Sequence, residues 1–198
     1  MQKKTITILI GICLILTVPL FANAATTTFE PGYDNGRSGN GMGGDADDYP
    51  DDGECRLYMN AVTFPSEAWA WIGSELTFSS TKSVYMDADL TLTGYIGTGL
   101  FGDGQLKVYL ECVRKSDLSL VWSVRVWEWH ESNGGTETWV NQDLSSLQLS
   151  DFPKSTSAGT YYFIVKFVFW GSYGGLFQYS SSSSSQGILY VDEISVTY

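Results

Sequence analysis

The sequence predicts an all-β fold, a β-sandwich made of two antiparallel sheets. From residue 55 onward, segments of alternating side-chain character recur, separated by stretches rich in Gly, Asp or Ser. No stretch shows the 3.6-residue periodicity of an amphipathic helix. In segment 160–170, the clearest strand, one row is wholly apolar and consists of Tyr161, Phe163, Val165, Phe167 and Phe169. The opposite row carries Lys166 in its middle, so we expect one packed face and one face in water.

The first 24 residues have the layout of a secretory signal peptide. Lys3 and Lys4 precede an apolar run over 6–20, and Ala22-Asn23-Ala24 supplies the small residues of a cleavage site. An uncleaved membrane anchor is the alternative, but the run is shorter than the about 20 residues that cross a bilayer. We therefore expect a secreted or cell-surface protein that has no membrane partner once this peptide is removed.

The charge of the chain excludes one class of partner. Its 22 Asp and Glu residues outnumber 11 Lys and Arg residues, and the formal net charge is −11 at pH 7. Such a surface repels the phosphate backbone of DNA or RNA, so we expect no nucleic-acid partner.

The two cysteines beyond the signal peptide predict a disulfide bond. An even pair in an exported chain favours oxidation. Strand alternation also turns both Cys55 and Cys112 toward the core. Two buried free thiols are the alternative.

The segment over residues 25–53 predicts a disordered stretch ahead of the sandwich. Glycines crowd its middle, and five aspartates follow within 45–52. Carboxylates on a pliable backbone suit calcium, but their spacing does not match an EF-hand loop, so a solvated acidic linker is favoured. The expected organisation is a signal peptide at 1–24, a flexible segment at 25–53 and a β-sandwich domain at 54–198.

The last strand breaks its own alternation. Leu189 and Val191 share one parity, whereas Ile194 and Val196 share the other. One extra residue at Asp192-Glu193 would restore the register, which is the effect of a β-bulge.

Two short stretches, one near each end of the chain, carry a resemblance to a known family. Phe29-Glu30-Pro31-Gly32 and Tyr190–Val196, which reads Y-V-D-E-I-S-V, resemble the opening and closing strands of jelly-roll carbohydrate-binding modules. These are the galactose-binding-like sandwiches attached to many secreted glycosidases. The resemblance implies a jelly roll and a structural calcium ion that Glu30 and Asp192 would hold.

Three predicted strands carry mixed aromatic and polar rows, which would form one surface if the strands share a sheet. Aromatic rings stack on the apolar faces of sugars, and polar groups between them bind hydroxyls. We therefore expect a polysaccharide or glycan ligand. The residues expected to bind it are Arg125, Trp127, Trp129, Tyr162, Lys166 and Trp170. A protein or fibre contact and plain packing are the alternatives.

The residues that could support catalysis are few, so we expect no enzyme activity. His130 is the only histidine, whereas a zinc site needs three or four ligands, and no G-x-S-x-G motif is present. Glu128 and Glu131 carry no recognisable glycosidase signature. A structural cell-surface protein, such as a fibre or adhesin subunit that self-assembles through its sheet or its N-terminal segment, is the alternative function. A hydrolase or lyase on the same scaffold is the third.

Overall fold

The computed structural model describes residues 24–62, 64–144, 147–148 and 153–198. The predicted signal peptide, except for Ala24, lies outside the described residues. The strands are β1 (Thr26–Phe29), β2 (Asn35–Asn40), β3 (Gly44–Tyr49), β4 (Glu54–Ala61), β5 (Ser66–Phe78), β6 (Lys82–Gly97), β7 (Asp103–Arg114), β8 (Leu120–Ser132), β9 (Thr136–Asp143), β10 (Leu147–Gln148), β11 (Lys154–Thr156), β12 (Gly159–Ser172), β13 (Gly175–Gln178) and β14 (Gly187–Thr197). A single 3₁₀ turn, Pro50–Asp52, is the only helical element in these ranges. The described residues contain no helix with the length and apolar character needed to cross a membrane.

The strands form two antiparallel sheets, so the predicted β-sandwich is confirmed. The smaller sheet has the strand order β2-β5-β12-β7-β8. The larger sheet contains nine of the described strands, with β6 paired to β14, β13 and β9, and with β4 between β14 and β13. In the smaller sheet, β12 pairs along its length with both β5 and β7. The strand that the sequence shows most clearly is therefore the central one.

The core lies between the two sheets, and the apolar row of β12 fills its middle as predicted. Phe163, Phe167 and Phe169 are fully buried. Phe177 of the larger sheet reaches across to this row, with its ring centroid 5.6 Å from Phe167 and 5.7 Å from Phe169. Aromatic contacts of this kind add to the apolar area that both sheets bury.

The N-terminal segment 25–53 is built into the sandwich, which corrects the prediction of a disordered segment. Its three strands pair with β14, β5 and β4 respectively. Its glycines mark close approach of neighbouring groups. A Cβ at Gly39 would lie 2.8 Å from Cζ2 of Trp69, and one at Gly36 would collide with the Asp48 carboxylate. The composition of this segment predicted a flexible backbone. In the structure, these glycines instead leave space for side chains of adjacent strands.

The two cysteines are free thiols, so the structure contradicts the predicted disulfide bond. Both are fully buried, and burial raises the pKa of Cys112 to about 12 and that of Cys55 well above its usual range. Cys55 lies against the backbone of Ile72 on β5, whereas Cys112 is on β7, with β12 between these two strands. An offset of two strands is about 10 Å, more than the roughly 7 Å between Cα atoms that a disulfide allows.

Candidate functional site on the outer face of the smaller sheet

The solvent-facing side of the smaller sheet, here called the outer face, carries a line of alternating cationic and aromatic side chains. The strand register aligns Arg37, Trp71, Lys166, Tyr109 and Arg125 across β2, β5, β12, β7 and β8. Directly opposed residues on neighbouring strands have Cβ atoms about 5 Å apart. The line therefore crosses all five strands as one continuous surface.

Trp69 lies beside this line, and a glycine sets its position. Gly39 faces Trp69 across the β2–β5 pair, and the indole ring occupies the space that a side chain at Gly39 would need. Lys166 Nζ lies 5.3 Å from the centroid of the Trp69 ring, within cation–π range. The ring and the cation hold each other in place between β5 and β12.

Two depressions open on the outer face, with volumes of about 320 and 290 Å³. Lys166 and Glu111 line both of them. The other residues around the first are Glu67, Gln105, Lys107, Tyr109, Val168 and Trp170. Those around the second are Arg37, Trp69, Trp71, Val113, Leu118, Leu120 and Ile164. A ligand that spans both depressions would meet rings in alternation with amide and charged groups.

Ion pairs fix several polar side chains on this face. Glu128 forms an ion pair with Arg125, whose Nη1 lies 2.8 Å from Glu128 Oε2, and Glu128 Oε1 lies 3.8 Å from Lys107 Nζ. Burial raises the pKa of Tyr109, an effect that the charge of Arg125 opposes. The Tyr109 phenol is therefore protonated at neutral pH and can donate a hydrogen bond to a ligand oxygen.

Two carboxylates, Glu67 and Glu111, line the first depression but lie far apart. Glu67 is opposite Trp170 of β12, whereas Glu111 is opposite Ile164. Six residues along a strand correspond to about 20 Å. The paired carboxylates of glycosidases are about 5–9.5 Å apart, so these two residues do not form such a pair.

Four of the six predicted binding residues lie on the outer face, namely Arg125, Tyr162, Lys166 and Trp170. Tyr162 is only 8% exposed because it packs against Trp71, with the ring centroids 6.5 Å apart. It belongs to a small apolar cluster that supports the face. Lys166 and Trp170 are half-buried and Arg125 is exposed, so these three can contact a ligand.

Trp127 and Trp129 do not lie on the outer face, which corrects the prediction for these two residues. An extra residue, Val126, interrupts the pairing of β8 with β7 and reverses the alternation beyond it. Both indoles therefore turn toward the core and contact Trp139 of the larger sheet edge-to-face, with centroids 6.1 and 5.7 Å away. They close one side of the sandwich, whereas Arg125, before the bulge, keeps its predicted direction.

The most prominent aromatic residues missed by sequence reasoning are Trp69 and Trp71. In the sequence they alternate with the small residues Ala68 and Ala70. The sequence does not show that β5 pairs with β12, and this pairing alone brings the two indoles beside Lys166. Sequence spacing could place each row on a strand but could not order the strands.

The bulge predicted in the last strand is confirmed, with its register shift between Val191 and Glu193. Because Phe29 pairs with Ile194, Glu30 comes close to this bulge. Burial, and then the charges of Asp192, Glu193 and Glu30, raise the pKa of Tyr33.

The calcium site expected from Glu30 and Asp192 stays a prediction. Asp192 is exposed and accepts a hydrogen bond from Thr91 Oγ1 at 3.1 Å. Across the described ranges, no group of three or more His, Cys, Asp or Glu residues is arranged to hold a metal ion.

Comparison with known proteins does not assign a family. No protein-family model matches the chain, and no curated protein matches it in sequence. Among solved structures, the family 11 xylanase from Neocallimastix patriciarum aligns with 16% identity over 88% of this chain and 100% of that chain, at a TM-score of 0.34. TmCBM61, solved in complex with β-1,4-galactotriose, aligns with 9% identity over 84% of this chain and 90% of that chain, at a TM-score of 0.27.

A viral structure, that of the infectious bursal disease virus Gt strain, also aligns, with 12% identity and a TM-score of 0.31. The alignment covers 89% of this chain and 33% of that chain, so the present chain spans about a third of the viral one. All three likenesses are remote, and the function has to be argued from the residues of this chain.

Proposed function

We propose that the outer face of the smaller sheet binds a polysaccharide or glycan without catalysis. The observation that carries this proposal is the line from Arg37 to Arg125, in which cations and aromatic rings alternate across five strands. Sugar rings have apolar faces that stack on indoles and phenols. Their hydroxyl groups accept from Lys and Arg and donate to carboxylates and amides.

The preorganisation of the face supports the same proposal. Trp69 is held by Gly39 and Lys166, and Glu128 holds Arg125. Side chains that are already ordered lose little conformational entropy when a ligand binds. The mixture of charges also suits a neutral ligand better than a strongly ionic one.

Affinity electrophoresis through gels that contain soluble polysaccharides tests the proposal. We expect at least one neutral polysaccharide to retard residues 25–198, and Trp170→Ala to weaken the retardation by about tenfold, as the loss of one stacking ring does. Tyr85→Ala is the matched control, because Tyr85 is a half-exposed aromatic residue of the larger sheet. Equal retardation of the Trp170 variant and the wild type would contradict the proposed surface.

Self-assembly is the second candidate, and the edge strand β8 favours it. This strand ends the smaller sheet, spans Leu120–Ser132 and exposes Leu120 and Val121. A long exposed edge can pair with another chain. The N-terminal segment is a weaker means of assembly, because its strands pair within their own chain. Light scattering separates the candidates, since sugar binding needs only monomers and edge pairing predicts larger species.

A further inference from the structure

One end of the sandwich carries most of the strongly exposed apolar side chains of the described structure. Five loops meet there, the connections β2–β3, β4–β5, β6–β7, β8–β9 and β12–β13. Six apolar or aromatic residues on four of these loops are between 59% and 87% exposed. They are Met42, Val62, Phe64, Leu100, Phe101 and Tyr173, and we call them the apolar tip.

Backbone hydrogen bonds join four of these loops to one another through the end of β4. Gly174 N donates to Ala61 O at 2.6 Å, and Gly99 N donates to Gly174 O at 3.2 Å. Gly134 N in turn donates to Gly99 O at 2.9 Å. On the other side, Asn60 N donates to the carbonyl of Gly43 at 2.9 Å. Main-chain hydrogen bonds therefore tie together the backbone from which the apolar side chains project.

The apolar tip carries no charge, in contrast to the rest of the chain. The connections 41–43, 62–65, 98–102, 133–135 and 173–174 contain no Asp, Glu, Lys or Arg, although the whole chain has a net charge of −11 and the Glu131 carboxylate of β8 lies against Gly135. Isolated exposed apolar residues are ordinary, but a group of six on adjoining loops marks an interaction site.

We propose that the apolar tip inserts into the surface of an uncharged lipid bilayer. Phe, Leu and Met side chains gain free energy on entering the acyl region, and Tyr is favoured at the level of the head groups. Met42, Val62 and Phe64 line one cavity of about 850 Å³, whereas Leu100, Phe101 and Tyr173 are exposed on two other loops. The acyl chains of a fluid surface can adapt to both shapes. This partner is independent of the sugar-binding proposal, and it departs from the sequence-based expectation of no membrane partner once the signal peptide is removed.

Charge disfavours two alternative occupants. An anionic membrane would repel a chain of net charge −11. Two copies that meet tip to tip would repel each other for the same reason. A zwitterionic lipid surface has no net charge, so insertion there rests on apolar burial and depends little on salt.

Co-sedimentation of residues 25–198 with phosphatidylcholine vesicles tests the inference. The apolar run at 6–20 would itself bind lipid and is left out, and every described strand lies within 25–198. We expect the wild type to sediment with the vesicles equally at low and high salt. The double variant Leu100→Ser/Phe101→Ser should partition at least about tenfold less, because each buried Leu or Phe contributes about that factor.

Val140→Ser is the matched control, since Val140 is 74% exposed on β9, away from the five loops. It should sediment like the wild type. A Phe101→Trp variant gives a second measurement, a blue shift of its fluorescence on mixing with vesicles that Val140→Trp lacks.

Three outcomes would overturn the inference. The first is that the wild type does not sediment, or does so only with phosphatidylserine present. The second is that the double variant, still folded by its thermal transition, sediments like the wild type. The third is a wild-type dimer in the absence of lipid that the double variant converts to a monomer, which would make a second copy the occupant.

Discussion

The two outward surfaces of the sandwich are both built from alternate residues along the strands, but they carry different side chains. On the larger sheet, the outward rows of β1, β14 and β6 are mostly hydroxyl and acidic residues, together with the tyrosines Tyr85 and Tyr190. Thr26 pairs with Thr197 through their hydroxyls at 2.9 Å, and Thr28 with Ser195 at 3.1 Å. The outer face of the smaller sheet instead carries the three tryptophans Trp69, Trp71 and Trp170 together with charged side chains.

This difference bears on which side chains a soluble sheet surface needs and which a ligand-binding surface needs. Among the described residues, the outer side of the larger sheet carries hydroxyl, acidic and tyrosine side chains but no tryptophan, and Arg56 Cζ lies 4.4 Å from the centroid of the Tyr49 ring. The smaller sheet differs in its partly exposed indoles, Trp69 and Trp170, and Lys166 Nζ lies 5.3 Å from the Trp69 ring centroid. Trp71 is only 7% exposed. The contrast therefore favours a ligand on the smaller sheet, and the following changes test it from the largest expected effect to the smallest.

Trp71→Ala should cost the most stability of the substitutions on either outer surface. The indole is 7% exposed in the cluster with Tyr162 and Ile164, so its removal leaves a cavity. We expect the free energy of unfolding to fall by about 3 kcal/mol. Tyr85→Ala on the larger sheet should cost less than about 1 kcal/mol. Urea unfolding followed by fluorescence measures both, and equal losses would remove the asymmetry between the two surfaces.

Gly39→Ala should weaken sugar binding without altering any residue that touches the ligand. The new methyl group would displace the Trp69 ring and its contact with Lys166. We expect about tenfold weaker binding, equivalent to about 1.4 kcal/mol. Ser38→Ala, on the same strand at the neighbouring position, is the control and should bind like the wild type. Unchanged affinity of the Gly39 variant would show that Trp69 is not part of the site.

Arg125→Ala should have a modest effect that depends on salt. The guanidinium pairs with Glu128 at the exposed edge of the sheet, and such pairs contribute about 0.2–1 kcal/mol. Thermal unfolding at low and high salt should show a loss that shrinks as salt rises. A loss that is larger at high salt would contradict the assigned ion pair.

Asp87→Asn on the larger sheet should have the smallest effect, with a defined pH dependence. Burial, then Asp89 and Glu193, raise the pKa of Asp87. A carboxyl with a raised folded-state pKa stabilises the fold below its unfolded pKa and loses that contribution as pH rises through the folded value. The variant should therefore unfold like the wild type at pH 3 and be more stable at pH 7, by at most about 0.5 kcal/mol.

Asp117→Asn is the control of opposite sign. Hydrogen bonds from Ser119 lower the pKa of Asp117, so its contribution is present at neutral pH and lost on acidification. The same direction of change in both variants at pH 7 would contradict this assignment.

Sequence reasoning succeeded where alternation ran unbroken and failed where a bulge lay hidden. The core row of β12 was read correctly because no extra residue interrupts the strand. The bulge at Asp192 was visible because apolar rows of opposite parity flank it. The bulge at Val126 left no such trace, since both parities of β8 are partly aromatic, and Trp127 and Trp129 were therefore assigned to the wrong side.

Strand order was the second feature that the sequence did not predict. Neither the pairing of β5 with β12 nor the incorporation of the N-terminal strands follows from local patterns, because both depend on contacts between distant parts of the chain. The glycines of β2 looked like a flexible tail in the sequence. In the folded protein, Gly39 makes room for a ring from β5.

Backbone amide chemical shifts of residues 25–198, recorded by NMR during titration with a panel of neutral oligosaccharides, test the central claim most directly. The account predicts that at least one oligosaccharide shifts the signals of Lys107, Tyr109 and Lys166 on the outer face and leaves those of Tyr85 and Thr28 unchanged. Shifts confined to the larger sheet, or none with any oligosaccharide, would contradict it.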